Sequence, residues 1–270
     1  MEKISDKDFM RLVTYMKQTY GINLEKKMTL VEGRLQGVIN QKGMKSLGEY
    51  FDYVLSDKTG AEAKTLVTRL TTNYTYFMRE DQHYKYLTSQ VLPRLEKTLP
   101  NKNLRIWSAG CSSGEEPYTI AMTLDDYFGM RKTGWDTRVL ATDISPSVLS
   151  MAQEAKYPAE RLQNMPPAWK TKYFKKIDAD NYQIVPAIKN EVIFKSFNLM
   201  DKNIPFKGKF HVIFCRNVMI YFERETREAL IERFYDHLAP GGVFFIGLSE
   251  TMSKQDTRFK FVQPSIYRKD

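Results

Sequence analysis

The chain has 270 residues, 42% of them hydrophobic, with 41 Lys and Arg against 32 Asp and Glu for a net charge of +9. That length and apolar content suit one large domain, or a large and a small one, and exclude disorder as the main state. No run approaches the ~20 apolar residues of a membrane span, and MEKISDKDF at the start lacks the apolar core of a secretory signal.

Cys111 and Cys215 cannot make a disulfide framework, and His83, His211 and His237 are too scattered for metal-ligand spacing. The expectation is a cytoplasmic, metal-free protein. Its positive charge suits an acidic partner (nucleic acid, an anionic membrane surface or an acidic protein) and equally a plain solvated surface.

The first seventy residues read as short helices. Ser5 and Asp8 form a capping pattern ahead of Phe9, Leu12, Val13, Met16 and Tyr20 at helical spacing, and Gly21 stops the run. Val31, Leu35, Val38 and Ile39 mark a second helix that ends near Gly43. Ser46 and Glu49 make a capping box for a third, with Leu47, Tyr50, Phe51, Val54 and Leu55; Ala63, Leu66, Val67 and Leu70 mark a fourth. Residues 1–72 are therefore expected as a small all-helical domain and 73–100 as an interdomain linker and lid.

From 101 to 270 the pattern changes. LRIWSAG, RVLATD, VIFKSFNL, FHVIFCRN and GGVFFIGLS alternate with helical stretches, one from Glu115 to Phe128 and one after Pro146. Such alternation predicts βαβ units and an α/β fold with a doubly wound parallel sheet. KYFKKIDADNYQIVPAIKNEV sets β-rich runs around a polar DADN turn, which predicts a small antiparallel insertion over 170–192.

Three segments combine polar residues with the ends of predicted strands. Ser108-Ala-Gly-Cys-Ser-Ser-Gly114-Glu-Glu-Pro117 is a strand-to-helix turn whose glycines let the backbone approach a ligand. Glu115 and Glu116 occupy the helix start where a phosphate would need to lie, so the turn suits a cationic, hydroxyl-bearing ligand such as S-adenosylmethionine (SAM). A turn whose charges merely complement the helix dipole fits the same residues. Asp143, ending the next strand in ATDIS, can accept from two ribose hydroxyls or cap the following helix. Arg216 and Asn217 close FCRN, where residues face the reaction centre of an open α/β sheet; Cys215 beside them reads as a small buried hydrophobe. Between the two halves, TTNYTYFMRE interleaves Asn73, Thr75 and Arg79 with aromatics, as a site lid or as a helix cap with packing rings.

TTNYTYFMRE, RIWSAGCSSGEEPYTIAM, ATDIS and FCRNVMIYF, in this order and spacing, resemble the chemotaxis receptor glutamate methyltransferases, the CheR family, over essentially the whole chain. Met78 departs from the Phe of many members. The resemblance implies a class I (Rossmann-like) SAM-methyltransferase domain and transfer of a methyl group from SAM, leaving S-adenosylhomocysteine, to glutamates on cytoplasmic helices of methyl-accepting chemoreceptors. It further implies that Asn73, Thr75, Arg79, Glu115, Asp143, Asn198, Leu199, Arg216 and Asn217 contact the cofactor. Arg79 and Tyr221 would orient the substrate carboxylate as the catalytic pair.

Glutamate is ionised at neutral pH, its reference pKa being ~4.3, so the missing His/Asp base is consistent with this chemistry. Lys26, Lys27, Arg34, Lys42 and Lys45 surround Glu32 on the second helix. Lys26, Lys27 and Arg34 are the expected docking residues for an acidic receptor helix, although a solvated face fits them as well. Some relatives bind a receptor peptide through a glycine-bearing β insertion; Ile177-Asp-Ala-Asp-Asn-Tyr182 has no glycine, which favours a tether-independent enzyme. The remaining expectations are a monomer, with no nucleic-acid partner and no stable membrane insertion. A nucleic-acid methyltransferase would suit the charge, but there is no Asn/Asp-Pro-Pro-Tyr segment and no Pro-Cys nucleophile. A non-catalytic SAM-sensing module is the other rival.

Overall fold

The computed structural model describes residues 4–252 and 257–270 and opens with four helices, α1 (Asp6–Tyr20), α2 (Met28–Gln41), α3 (Leu47–Ser56) and α4 (Ala61–Leu70). The Ser5 hydroxyl accepts from the Asp8 N–H and the Ser46 hydroxyl from the Glu49 N–H, as the capping patterns predict. Glu49 returns its carboxylate to the Lys45 N–H rather than to Ser46. The apolar positions of all four helices, among them Leu12, Met16, Leu35, Ile39, Tyr50, Phe51 and Leu66, meet in one core.

After α4 the backbone is irregular over residues 72–76 and turns through 77–81. It then becomes helical again, α5 (Gln82–Tyr86) passing through a π turn at Leu87–Val91 into α6 (Leu92–Thr98). Phe77, Tyr84, Leu87, Val91 and Leu92 are buried in the main core, so much of the segment read as linker is structural wall. Pro93 has no N–H for a helical ladder, and the π turn before it shifts the register, which hid the helical period.

From β1 (Ile106–Ala109) the chain continues through α7 (Glu115–Phe128), β2 (Val139–Asp143), α8 (Pro146–Glu154), β3 (Lys156–Pro158), α9 (Pro167–Tyr173), β4 (Phe174–Lys176), β5 (Asn181–Ile184) and α10 (Pro186–Lys189). It ends with β6 (Val192–Ser196), β7 (Phe210–Cys215), α11 (Arg224–His237), β8 (Leu238–Ile246), β9 (Lys260–Gln263) and β10 (Ile266–Arg268). The main sheet has the order β6–β2–β1–β7–β8–β10–β9. Its first five strands are parallel, while β10 runs antiparallel to both β8 and β9. The sheet is therefore mixed, not wholly parallel. Pro264 and Ser265 alone link β9 to β10, and a parallel neighbour would need a crossover of a dozen or more residues.

Alternate side chains of the strands enter different cores. Ile106, Val212, Phe214 and Phe245 pack with α7, whereas Trp107, Ile213, Phe244 and Ile246 pack with α11. Covered on both faces, these strands read in the sequence as unbroken apolar runs. The insertion is a three-stranded antiparallel sheet, β3–β5–β4, which begins at Lys156 and so earlier than the predicted hairpin. Tyr157 is the one buried residue of β3, too little alternation to read as a strand. Its DADN turn needs no glycine, because one Asp178 carboxylate oxygen accepts from the Asp180 and Asn181 N–H groups.

Candidate functional site

Register brings the three polar segments together. Ala109 lies beside Thr142, and Ser108 beside both Ala141 and Phe214, so the carboxyl ends of β2, β1 and β7 open at one edge. The α1–α2 connection and residues 72–76, a covering strand of irregular chain outside the sheets, cover that edge and enclose a cavity of about 220 Å³. Crevices at the carboxyl ends of parallel strands are where such sheets bind ligands.

The floor is the turn after β1. The Gly110 and Cys111 N–H groups both donate to the Thr142 carbonyl, at 2.8 and 2.9 Å, which pulls the turn against β2. Gly110 has φ 84°, and a Cβ there would stand 2.5 Å from Val218 Cγ2, so no side chain fits. Asp143 receives the Ser112 N–H at 2.8 Å on one oxygen and the Ser145 N–H at 3.0 Å on the other. Burial raises its pKa against those bonds. Ser112 Oγ donates to the Asn73 carbonyl at 3.0 Å and ties the covering strand to the floor.

Glu115 and Glu116 separate. Glu116 lines the cavity, accepting from Ser108 Oγ at 2.7 Å and from Arg216 Nη1 at 3.0 Å. Glu115 does not line it: its carboxylate accepts from Ser113 Oγ at 2.7 Å and from Arg161 Nη1 at 3.2 Å, away from the cavity. Of the adjacent pair, Glu116 is the carboxylate on the cavity wall, while Glu115, expected as a cofactor contact, lies behind it. Arg161 also donates to the Thr75 carbonyl, so Glu115 braces the covering strand from behind. Burial raises the pKa of both glutamates.

Asn73, Thr75, Arg79, Asn198, Leu199, Arg216, Asn217 and Tyr221 also line the cavity. Arg79 Nη1 donates to the Tyr74 carbonyl at 2.8 Å, and its guanidinium lies 5.9 Å from the rings of both Tyr74 and Tyr76. Among the described residues no carboxylate pairs with it. Asn198 is committed at both ends of its amide, donating to the Thr19 carbonyl at 2.8 Å and accepting from the Met200 N–H at 3.0 Å; it joins α1 to the sheet.

The three docking candidates part company. Lys26 is exposed and off the cavity, whereas Lys27 is exposed at its rim. Arg34 is turned inward: Nη1 donates to the Leu70 and Thr71 carbonyls at 2.9 Å each, and Nη2 to Thr72 Oγ1 at 3.0 Å. It staples α2 to the covering strand. Ile22, Asn23 and Leu24 line the cavity too, as does Tyr84, and no sequence pattern marked them, since they arrive through packing alone.

Among the described residues, no group of three or more His, Cys, Asp or Glu is placed to hold a metal ion, and no helix is long and apolar enough to cross a membrane. Residues 7–71 match the family model described as the CheR methyltransferase all-alpha domain, and residues 73–268 that of the CheR methyltransferase SAM binding domain. The chemotaxis protein methyltransferase of Borreliella burgdorferi is 41% identical over 271 residues, covering 99% of this chain and 95% of that protein. That of Escherichia coli is 35% identical over 268 residues, covering 98% and 91%.

Proposed function

The chain belongs to the CheR methyltransferase family and is a SAM-dependent methyltransferase, and from that premise we propose that it esterifies glutamate side chains on cytoplasmic helices of chemoreceptors. The observation that supports this reading is the Arg79 guanidinium, which has no carboxylate partner among the described residues and lines the same cavity as Asp143 and Glu116. The carboxylate pair suits the cationic, hydroxyl-bearing donor, with Asp143 retaining lone pairs for ribose hydroxyls and Glu116 for the amino group. The Gly110 turn packs against Val218 too closely for any Cβ. Asn73, Thr75, Asn198, Leu199 and Asn217 complete the walls around it.

SAM supplies a methyl group made electrophilic by its sulfonium. Arg79 and Tyr221 would orient the glutamate carboxylate towards it, and transfer would exchange one C–S bond for one C–O bond with the electron pair left on sulfur. The attacking carboxylate is already ionised, so no protein group moves a proton. Charge is neutralised in the transition state, and what the residues contribute is orientation and exclusion of water, worth up to ~7–11 kcal/mol in favourable intramolecular cases. Lys26 and Lys27, exposed on the segment that covers the cavity, would attract an acidic receptor helix.

The test uses methyl-labelled SAM, the purified protein and membranes carrying a candidate chemoreceptor. Label on protein that leaves as methanol in mild alkali is the expected result and defines a carboxyl methyl ester. Alkali-stable label, or label on nucleic acid, rejects the glutamate reading.

A further inference from the structure

Arg79 is held in an unusual turn. The residues on either side of it, Met78 at φ 62° and Glu80 at φ 56°, are both left-handed, as is Asn217 at φ 59°. Backbone of this kind is disfavoured for any residue with a Cβ and persists only where the surroundings over-determine it. One largely buried carboxylate, that of Glu80, links these segments. Glu80 Oε2 accepts from Arg216 Nε at 3.2 Å and Nη2 at 3.0 Å, and Oε1 accepts from Asn217 Nδ2 and the Leu248 N–H, at 3.2 Å each.

Arg216 has no donor left for a ligand. Besides Glu80, Nη2 donates to the Arg79 carbonyl at 2.5 Å, and Nη1 to Tyr84 Oη and Glu116, both at 3.0 Å. All five N–H groups of the guanidinium are engaged. Its side chain is only 2% exposed and that of Glu80 11%, so neither can exchange these partners for water. The pair joins three separate pieces of chain, the 78–80 turn, residues 216–217 and the loop after β8, and two of those pieces carry a cavity-lining residue.

We propose that Glu80 is a positioning residue for methyl transfer: through Arg216 it fixes the left-handed turn that aims Arg79 into the cavity, and through Asn217 it fixes the opposite lip. The proposal rests on the reading of Arg79 as the group that orients the substrate carboxylate. Without the Glu80 charge, Arg216 keeps Glu116 as its one carboxylate partner, the turn relaxes towards ordinary φ, and Arg79 swings off its line. Misalignment of this kind lowers turnover far more than it lowers affinity for the donor.

The experiment compares Glu80→Gln, Arg79→Ala and the double variant by receptor-methylation turnover, by calorimetric affinity for S-adenosylhomocysteine and by melting temperature. Glu80→Gln keeps the shape and one acceptor oxygen. Turnover should fall by about thirtyfold or more, with affinity within about threefold of wild type, and adding it to Arg79→Ala should cost little further. Normal turnover in Arg79→Ala removes the reading of Arg79 itself. A loss in Arg79→Ala with normal turnover in Glu80→Gln overturns the role of Glu80 alone, as do losses that multiply in the double variant. A Glu80→Gln protein that fails to fold, or that loses affinity and turnover in proportion, also overturns it and leaves the carboxylate a structural group.

Discussion

Glu115 and Glu116 are neighbours in the first turn of α7 and face opposite ways, Glu116 towards Arg216 and the cavity, Glu115 towards Arg161 and the back of the covering strand. Successive residues of a helix point about 100° apart, so only one of an adjacent pair can line a given wall. Glu116→Gln should weaken SAM binding by about tenfold, ~1.4 kcal/mol, because it removes the cavity-wall charge proposed to hold the donor's amino group. Glu115→Gln should stay within about threefold of wild type, on the scale of a lost neutral hydrogen bond. Calorimetric titration of both variants decides; equal losses would contradict the division of labour.

Gly110 is the cavity-lining residue whose backbone sits too close to Val218 for a side chain. In Gly110→Ala the left-handed conformation costs ~1–2 kcal/mol, and the new methyl group meets Val218 Cγ2 at 2.5 Å. Melting should drop by several degrees, at about 2–4 °C per kcal/mol for a domain of this size. Adding Val218→Ala should recover the steric part and leave the backbone part. No recovery would mean that the strain lies elsewhere in the turn.

Charge on α2 and its N-terminal flank divides into two kinds. Lys27→Glu should slow methylation of an acidic receptor, the more so at low salt, and leave SAM binding unchanged, since Lys27 is exposed at the rim. Arg34→Ala should weaken SAM binding as well, because three hydrogen bonds holding residues 70–72 disappear. Titration of S-adenosylhomocysteine beside methylation rates separates them; unchanged binding in Arg34→Ala would return it to the docking face.

His83 carries a pH dependence. It is wholly buried, with Nε2 2.6 Å from Ser265 Oγ and Nδ1 3.5 Å from Glu80 Oε2, the same oxygen that Arg216 binds. Burial first, then the Arg216 charge, press its pKa down to about 3, with Glu80 opposing. The unfolded chain takes its proton near pH 6.5, so between about 6.5 and 3 the native state binds fewer protons, and this group's stability is lost as pH falls, by up to about 1.4 kcal/mol per unit. Glu115, Glu116, Asp143 and Glu250, all raised by burial, act in the opposite sense, since they take protons more readily when folded. The measurement is therefore a difference: urea midpoints at pH 7 and pH 5 for wild type and His83→Gln, with the variant losing less on acidification. Equal slopes would reject the assignment.

Much of this site was legible because it is made of local chemistry. A glycine turn after an apolar strand, an aspartate ending the next strand and an Arg-Asn pair ending a third are each set by a few adjacent residues. The covering strand was legible as a polar segment between two patterned halves. The antiparallel β9–β10 edge was not, since it depends on a two-residue link between strands too short to show a period.

By itself, then, the sequence determined the helical and α/β halves, the strands that carry the polar ends and the family to which those motifs belong. These depend on hydrophobic period and on turn residues, which act over a few positions. Only the tertiary structure decided which of two adjacent glutamates faces the cavity, that Arg34 and Asn198 are spent on holding the covering segments, and that Arg216 is bound on every donor by Glu80, Glu116, Tyr84 and the Arg79 carbonyl. Those outcomes depend on partners as many as 179 residues away in the chain, as between Asn198 and Thr19, and the direction of a side chain follows from what it must pair with once buried.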